Sequence, residues 1–270
     1  MKPSRLSIAL LALSLACAAH AAAPAPPATA PAPRIVTDLP PKTSFHIYLL
    51  MGQSNMAGRG VVPAETDNPH VLALNPDNHW VIARDPLHQK IGRVEPGVGP
   101  GLPFALEMLK ADPKITIGLV PCAVGGTALS RWVKDADLYK NALERAKTAA
   151  AAGTLKGILW HQGESDSDAQ KNAESYENRL TQMLSDFRTD LGQPNLPIVV
   201  GQLGEFLPAD KHPYVDTVRA ALKHLPADLP HVGYADSHDL HDKGDQLHFD
   251  TDAQKEFGAR FAKAMLNLQK

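Results

Sequence analysis

From Phe45 to Gly52 the chain reads FHIYLLMG, apolar at almost every position. Ile47, Leu49 and Met51 alternate with Tyr48 and Leu50, so an extended strand here has no polar side. Such a run predicts a strand covered on both faces, as in a parallel sheet. Four more buried strands are expected at 115–120, 156–160, 197–203 and 231–236. Between them the period becomes helical, over about 101–111, 136–151, 169–191 and 213–224. In 169–191, Tyr176, Leu180, Met183, Leu184, Phe187 and Leu191 share one face. A last helix opens at Thr251 with Gln254 at capping-box spacing, and it turns Phe257, Phe261, Met265 and Leu268 inward. Parallel strands need crossovers, so the alternation predicts an α/β fold: a five-stranded parallel sheet with helices on both faces.

Two stretches fall outside this rhythm. Residues 59–98 carry no sustained helical period; VLAL (71–74) and HWVIA (79–83) flank the turn-rich Asn75-Pro76-Asp77-Asn78, which predicts a hairpin. A connection this long is either a wall of a binding cleft or an insertion without a role. At the other extreme, residues 1–21 combine Lys2 and Arg5, an apolar Leu6–Ala18 segment and Ala19-His20-Ala21, the pattern of a secretory signal peptide. Its apolar run is too short for an anchor. Residues 22–33 are Pro and Ala with one Thr, an extended tether, which leaves 34–270 as one domain and a secreted or periplasmic destination.

Composition narrows the partners. With 44% hydrophobic residues, the chain can bury a sizeable core, and a formal charge of -2 gives no basis for binding nucleic acid or an anionic membrane. If cleavage follows Ala21, Cys122 remains without a disulfide partner, and its apolar setting predicts a small buried residue.

The polar residues that interrupt the apolar runs sit just past strand ends, where open α/β sheets bind ligands. They are Gln53-Ser54-Asn55 after the first strand, Gly125-Gly126-Thr127 after the second, and His161-Gln162-Gly163-Glu164 after the third, with Asp245-Gln246-Leu247-His248 near the C-terminus. A serine hydroxyl needs a base, usually a histidine oriented by a carboxylate. Asp245 lies three residues before His248, close enough to hold one ring nitrogen while the other faces Ser54. Acyl transfer also needs donors for the developing oxyanion, and the Ser54 N–H, the Gly126 N–H and the Gln162 amide are suited to it. Gln53, Asn55, Gly125, His161 and Arg131 are read as lining the cleft and meeting substrate. The cluster His238-Asp239-Leu240-His241-Asp242 holds ligand types but no metal framework, so no metal and no cofactor are expected.

GQSNMAG, AVGGT, WHQGESD and DQLHF, in this order, resemble the SGNH hydrolases, and within them carbohydrate esterase family 6 and the sialate O-acetylesterase-like proteins. The resemblance implies a flavodoxin-like three-layer α/β/α sandwich and metal-independent hydrolysis of acetyl esters on carbohydrates of acetylxylan or sialate type. It also implies a Ser54–His248–Asp245 triad, with Gln162 where the superfamily usually places asparagine. Glu164, in HQGES, is the alternative acid. The rival functions are an SGNH lipase or thioesterase acting on longer acyl esters, and a non-catalytic carbohydrate-binding module on the same scaffold.

Overall fold

Seven strands form a single sheet: β1 (Phe45–Gly52), β2 (Val71–Leu74), β3 (Trp80–Ile82), β4 (Thr116–Pro121), β5 (Thr154–His161), β6 (Ile198–Gly201) and β7 (Val232–Ala235). The computed structural model describes residues 34–63, 67–91 and 94–270, so the signal peptide and tether read over 1–33 lie outside the described residues. Strand order is β3-β2-β4-β1-β5-β6-β7, parallel throughout except where β3 runs against β2. The sheet thus exceeds the five strands expected. The extra pair is the predicted hairpin, whose β2 is buried at all four positions and pairs in parallel with β4, Val71 opposite Ile117. Apolar on both faces, it extends the sheet.

The helices are α1 (Ser54–Ala57), α2 (Gly101–Ala111), α3 (Asp137–Ala152), α4 (Gln170–Glu174), α5 (Tyr176–Asp190), α6 (Val215–Asp228) and α7 (Thr251–Leu268). Alternation along β1 divides its side chains between two cores. Ile47, Leu49 and Met51 pack with α3, α5 and α6, while Tyr48 and Leu50 pack with α2 and α7. Each such side chain taken out of water contributes roughly 1.5–3 kcal/mol, and together they fix three layers.

Two helical details depart from the sequence reading. The helix expected over 169–191 breaks at Ser175, whose hydroxyl donates to the Lys171 carbonyl at 2.7 Å and so competes with the helical ladder. At the start of α7 the cap is Asp250, whose carboxylate accepts the Ala253 N–H at 2.8 Å. Thr251 and Gln254 form no capping box. Thr251 Oγ1 instead accepts the Val61 N–H at 2.7 Å, and Gln254 Nε2 donates to the Asn55 carbonyl at 3.1 Å. Both fasten α7 to the segment that follows β1.

β1 lies between β4 and β5, with β2–β4 on one side and β5–β7 on the other, so its carboxyl end opens at a topological switch point. There Gly52 stands opposite His161, with φ +132°, and a Cβ on it would lie 2.0 Å from the His161 carbonyl oxygen. Only glycine lets β1 run this close to β5.

Candidate active site

Past Gly52 the chain turns abruptly. The Gln53 N–H donates to the His161 carbonyl at 2.9 Å, and Ser54 opens α1. Ser54 Oγ lies 3.1 Å from His248 Nε2, and His248 Nδ1 lies 2.8 Å from Asp245 Oδ2. The other Asp245 oxygen accepts the N–H groups of Leu247 at 3.0 Å and His248 at 2.8 Å. Partial burial pushes the Asp245 carboxyl up, but the imidazole and these two N–H donors outweigh it and hold the group at about 2. The loop is shaped by Asp242, whose carboxylate accepts from Gly244 and Gln246, the latter at φ +57°. Elsewhere in that cluster Asp239 pairs with Arg260, and His238 with Glu205.

Several residues read as substrate contacts are engaged elsewhere. Asn55 is 1% exposed, and its amide donates to Glu164 Oε1 at 2.6 Å and to the Leu247 carbonyl at 3.1 Å while accepting the Phe249 N–H at 3.1 Å. It braces the His248 loop from within. His161 is fully buried, with Nε2 3.0 Å from the Gln202 carbonyl and its ring edge-on to Phe257. Arg131 is exposed, pairs with Asp137 and does not line the cleft. Glu164 is bound to Asn55 and lies 3.9 Å from His161 Nδ1, whereas the Nδ1 of His248 is taken by Asp245. Gln53 and Gly125 do line the cleft.

Of the three expected oxyanion donors, the structure separates one. Among the described residues the N–H groups of Ser54 and Gly126 donate to no protein acceptor. Gly126 has φ +70° with nothing within 4 Å of where a Cβ would lie, so glycine is needed there for its backbone angle. Gln162, in contrast, is fully buried. Its amide nitrogen donates to Asp166 Oδ2 at 2.7 Å, to the Thr127 carbonyl at 3.1 Å and to Gln53 Oε1 at 3.1 Å. Two hydrogens shared among three acceptors leave nothing for substrate. A carboxylate and a carbonyl can only accept, so they fix the Gln162 amide, and Gln53 must then present its oxygen inward. Gln53 Nε2, with no protein acceptor among the described residues, is left as the donor at the cleft. Nothing in the residue order shows that the two glutamines stand in line.

Behind this network Arg179 Nη2 holds Asp166 at 2.9 Å, and Trp132 and Trp160 pack edge to face at 5.4 Å, both fully buried. Trp160 and Trp132 therefore buttress the site. Cys122 is buried too, which raises its thiol to about 11.

The cleft over Ser54 has a volume of about 370 Å³. Arg59, Ile91 and Val94 are among its lining residues, so the long connection after α1 contributes to the cleft. The lining also includes Asp168 and His212, joined at 2.7 Å. Larger hollows of about 590 and 560 Å³ lie against α2, and neither is lined by a serine–histidine pair. Neither Arg59 nor the His212–Asp168 pair was anticipated. Arg59 stands in GRG just past the nucleophile motif, where one cation in an irregular segment was the available signal.

The mostly parallel sheet and its two helical layers form a three-layer α/β fold, with the polar residues gathered at the sheet's carboxyl edge. The chain belongs to the carbohydrate esterase, sialic acid-specific acetylesterase family, whose profile matches residues 44–267. It is therefore a carboxylic-ester hydrolase of the carbohydrate acetylesterase kind. A probable carbohydrate esterase of Arabidopsis thaliana is 37% identical over 255 residues, covering 86% of this chain and 94% of the plant protein. An Arabidopsis thaliana crystal structure superposes with a TM-score of 0.76 at 35% identity, covering 84% of this chain and 99% of that one. The crystal structure of NanS shares the fold, with a TM-score of 0.71 at 18% identity over 86% of this chain and 99% of its own. Among the described residues no helix is long and apolar enough to cross a membrane.

Proposed function

We propose that the chain removes O-acetyl groups from carbohydrate through a covalent acyl-enzyme. The observation that carries the proposal is the line from Ser54 Oγ to His248 Nε2, 3.1 Å, and from His248 Nδ1 to Asp245 Oδ2, 2.8 Å. In this reading Ser54 Oγ attacks the acetyl carbonyl carbon and its proton passes to His248 Nε2. The carbonyl oxygen becomes an oxyanion beside the Ser54 N–H, the Gly126 N–H and Gln53 Nε2. Collapse breaks the bond to the sugar oxygen, which takes the proton from His248, and acetyl-Ser54 remains. Water then gives its proton to His248 as it attacks the acyl carbon, and acetate leaves as Ser54 is reprotonated. Asp245 holds the imidazole in the required tautomer throughout.

The candidate substrates are acetylated sugars of sialate or acetylxylan type. The direct test is acetate release from a panel of O-acetylated glycans by the wild type and by Ser54→Ala. The wild type should release acetate. The variant should lose several orders of magnitude in kcat with its melting temperature nearly unchanged. Normal turnover by the variant ends the proposal. A chain-length series of aryl esters excludes the lipase-like alternative if acetate is preferred over butyrate. Absence of any turnover favours the binding module. The proposal also places the enzyme outside the cytoplasm, on the strength of residues 1–21. Mass spectrometry of the exported protein should find a mature N-terminus at Ala22, and retention of Met1 argues against export.

A further inference from the structure

His212 brings a second imidazole to the cleft, on the segment between β6 and α6, and the reaction described above makes no use of it. Its Nδ1 lies 2.7 Å from Asp168 Oδ1 and 3.1 Å from Ser167 Oγ. The Ser167 hydroxyl donates its own hydrogen to the Glu164 carbonyl at 2.7 Å, so towards His212 it can only accept. With two acceptors facing it, Nδ1 carries the ring hydrogen, and Nε2 of the neutral ring keeps a lone pair. The ring is also fixed in place. Its side chain is only 13% exposed, the His212 N–H donates to the Pro208 carbonyl at 2.9 Å, and the Tyr214 N–H donates to the Ser167 carbonyl at 3.0 Å. Nε2 has no protein partner among the described residues, yet it is not buried, so the lone pair is open to solvent at the cleft. Other histidines paired with carboxylates, His224 with Glu177 and His238 with Glu205, are largely exposed and lie away from the cleft. His248 is held in the same manner as His212, but its Nε2 meets Ser54.

Sugar hydroxyls that leave water on entering a cleft need acceptors. The Ser54 N–H, the Gly126 N–H and Gln53 Nε2 are donors and suit the carbonyl oxygen. Glu164 is no alternative, since Oε1 holds Asn55 and Oε2, though without a partner, is buried. We propose that His212 Nε2 accepts a hydrogen bond from a free hydroxyl of the acetylated sugar, with Asp168 and Ser167 as the positioning residues that set its tautomer. The inference rests on the esterase reading above and adds a selection to it: a sugar that lacks this hydroxyl, or carries a second acetyl group on it, is the poorer substrate. A site built to pair a hydroxyl rejects the analogue without it by about tenfold or more.

The test uses mono-O-acetylated methyl xyloside and mono-O-acetylated N-acetylneuraminic acid, each beside its set of mono-deoxy forms, with the wild type, His212→Phe and His212→Gln. For at least one of the two sugars the wild type should favour the parent over one deoxy form by about tenfold or more in kcat/KM. His212→Phe keeps a ring and deletes the lone pair, and should bring that ratio close to one. His212→Gln, which can still accept, should keep part of it. Damage to the fold would lower parent and deoxy forms alike and leave the ratio standing, so an unchanged ratio in His212→Phe overturns the proposal. Equal treatment of parent and every deoxy form by the wild type overturns it without any variant. The same sugars titrated calorimetrically onto Ser54→Ala, with and without His212→Phe, give a readout free of turnover. Ser54→Ala should bind the parent about tenfold tighter than that deoxy form, the double variant should bind the two alike, and no preference in Ser54→Ala overturns the proposal. If these titrations show the preference while the wild type releases no acetate from either sugar, the esterase reading fails and the hydroxyl subsite stands.

Discussion

Asn55 Nδ2 lies 2.6 Å from Glu164 Oε1, tying the residue after the proposed nucleophile to the acid that follows β5. The same amide spans both neighbours of His248, donating to Leu247 and accepting from Phe249. One side chain therefore sets the distance between the α1 turn and the loop that carries the base. We expect Asn55→Ala to lower kcat by about tenfold to a hundredfold with little change in KM, since a misplacement near 1 Å costs that much. It should also cost about 1–3 kcal/mol of stability, because Glu164 Oε2 already has no partner among the described residues and Oε1 would lose its own. Adding Glu164→Gln should restore part of the stability and none of the kcat. Urea titrations and steady-state kinetics on the two variants check both halves.

Asp245 gives a pH signature. Its carboxyl stands at about 2 in the folded chain, against about 3.9 for an unperturbed Asp. The folded value is depressed, so the group stabilises the fold fully above about pH 4 and ceases to as pH falls through 2. Asp245→Asn removes that contribution, and its urea midpoint should fall less than that of the wild type between pH 5 and pH 2.5. With the tautomer of His248 no longer fixed, kcat should drop by about 10³ to 10⁴. If Glu164→Gln causes the larger kcat loss and Asp245→Asn nearly none, the acid has been assigned to the wrong residue.

Two glycines separate contact from conformation. At Gly52 a Cβ meets the His161 carbonyl of the neighbouring strand at 2.0 Å, and neither backbone can yield without parting β1 from β5. Gly52→Ala should cost at least about 3 kcal/mol and yield little folded protein. At Gly126 there is open space and only the φ of +70° resists, so Gly126→Ala should fold with a loss of about 1 kcal/mol. Thermal melts of the two variants decide between these accounts.

The order of strands and helices was legible because β1 has no polar face and the helices bury a regular stripe; period alone carries that information. The hairpin was legible as a hairpin but not as part of the sheet, since pairing partners leave no local mark. Ser54 could be picked out because it follows a strand end, and Asp245 and His248 because a serine nucleophile needs a base and a carboxylate at such spacing. Asn55, His161 and Gln162 are of the same polar character and lie within three residues of cleft-lining positions, yet they face inward. Which side a residue takes after a sharp turn depends on backbone angles such as those at Gly52 and Gly163, φ +132° and +149°. Nothing in the neighbouring letters encodes them.

The two glutamines allow the sharpest discrimination. Gln162 holds Gln53, and Gln53 faces the cleft, so their removal should affect different quantities. Gln53→Leu deletes a donor that acts only once charge develops on the carbonyl oxygen. Its kcat should fall by about 10- to 10³-fold at nearly constant KM. Gln162→Leu leaves Asp166 Oδ2 with the Leu129 N–H alone and the Tyr176 hydroxyl without the Gln162 side-chain oxygen, so it should cost about 1–3 kcal/mol in urea. It still removes the partner that orients Gln53, and kcat should decline, but less than in Gln53→Leu. The reverse order of kcat losses, with Gln53→Leu close to wild type, would return the oxyanion role to Gln162 and require its amide to break from Asp166 when substrate binds.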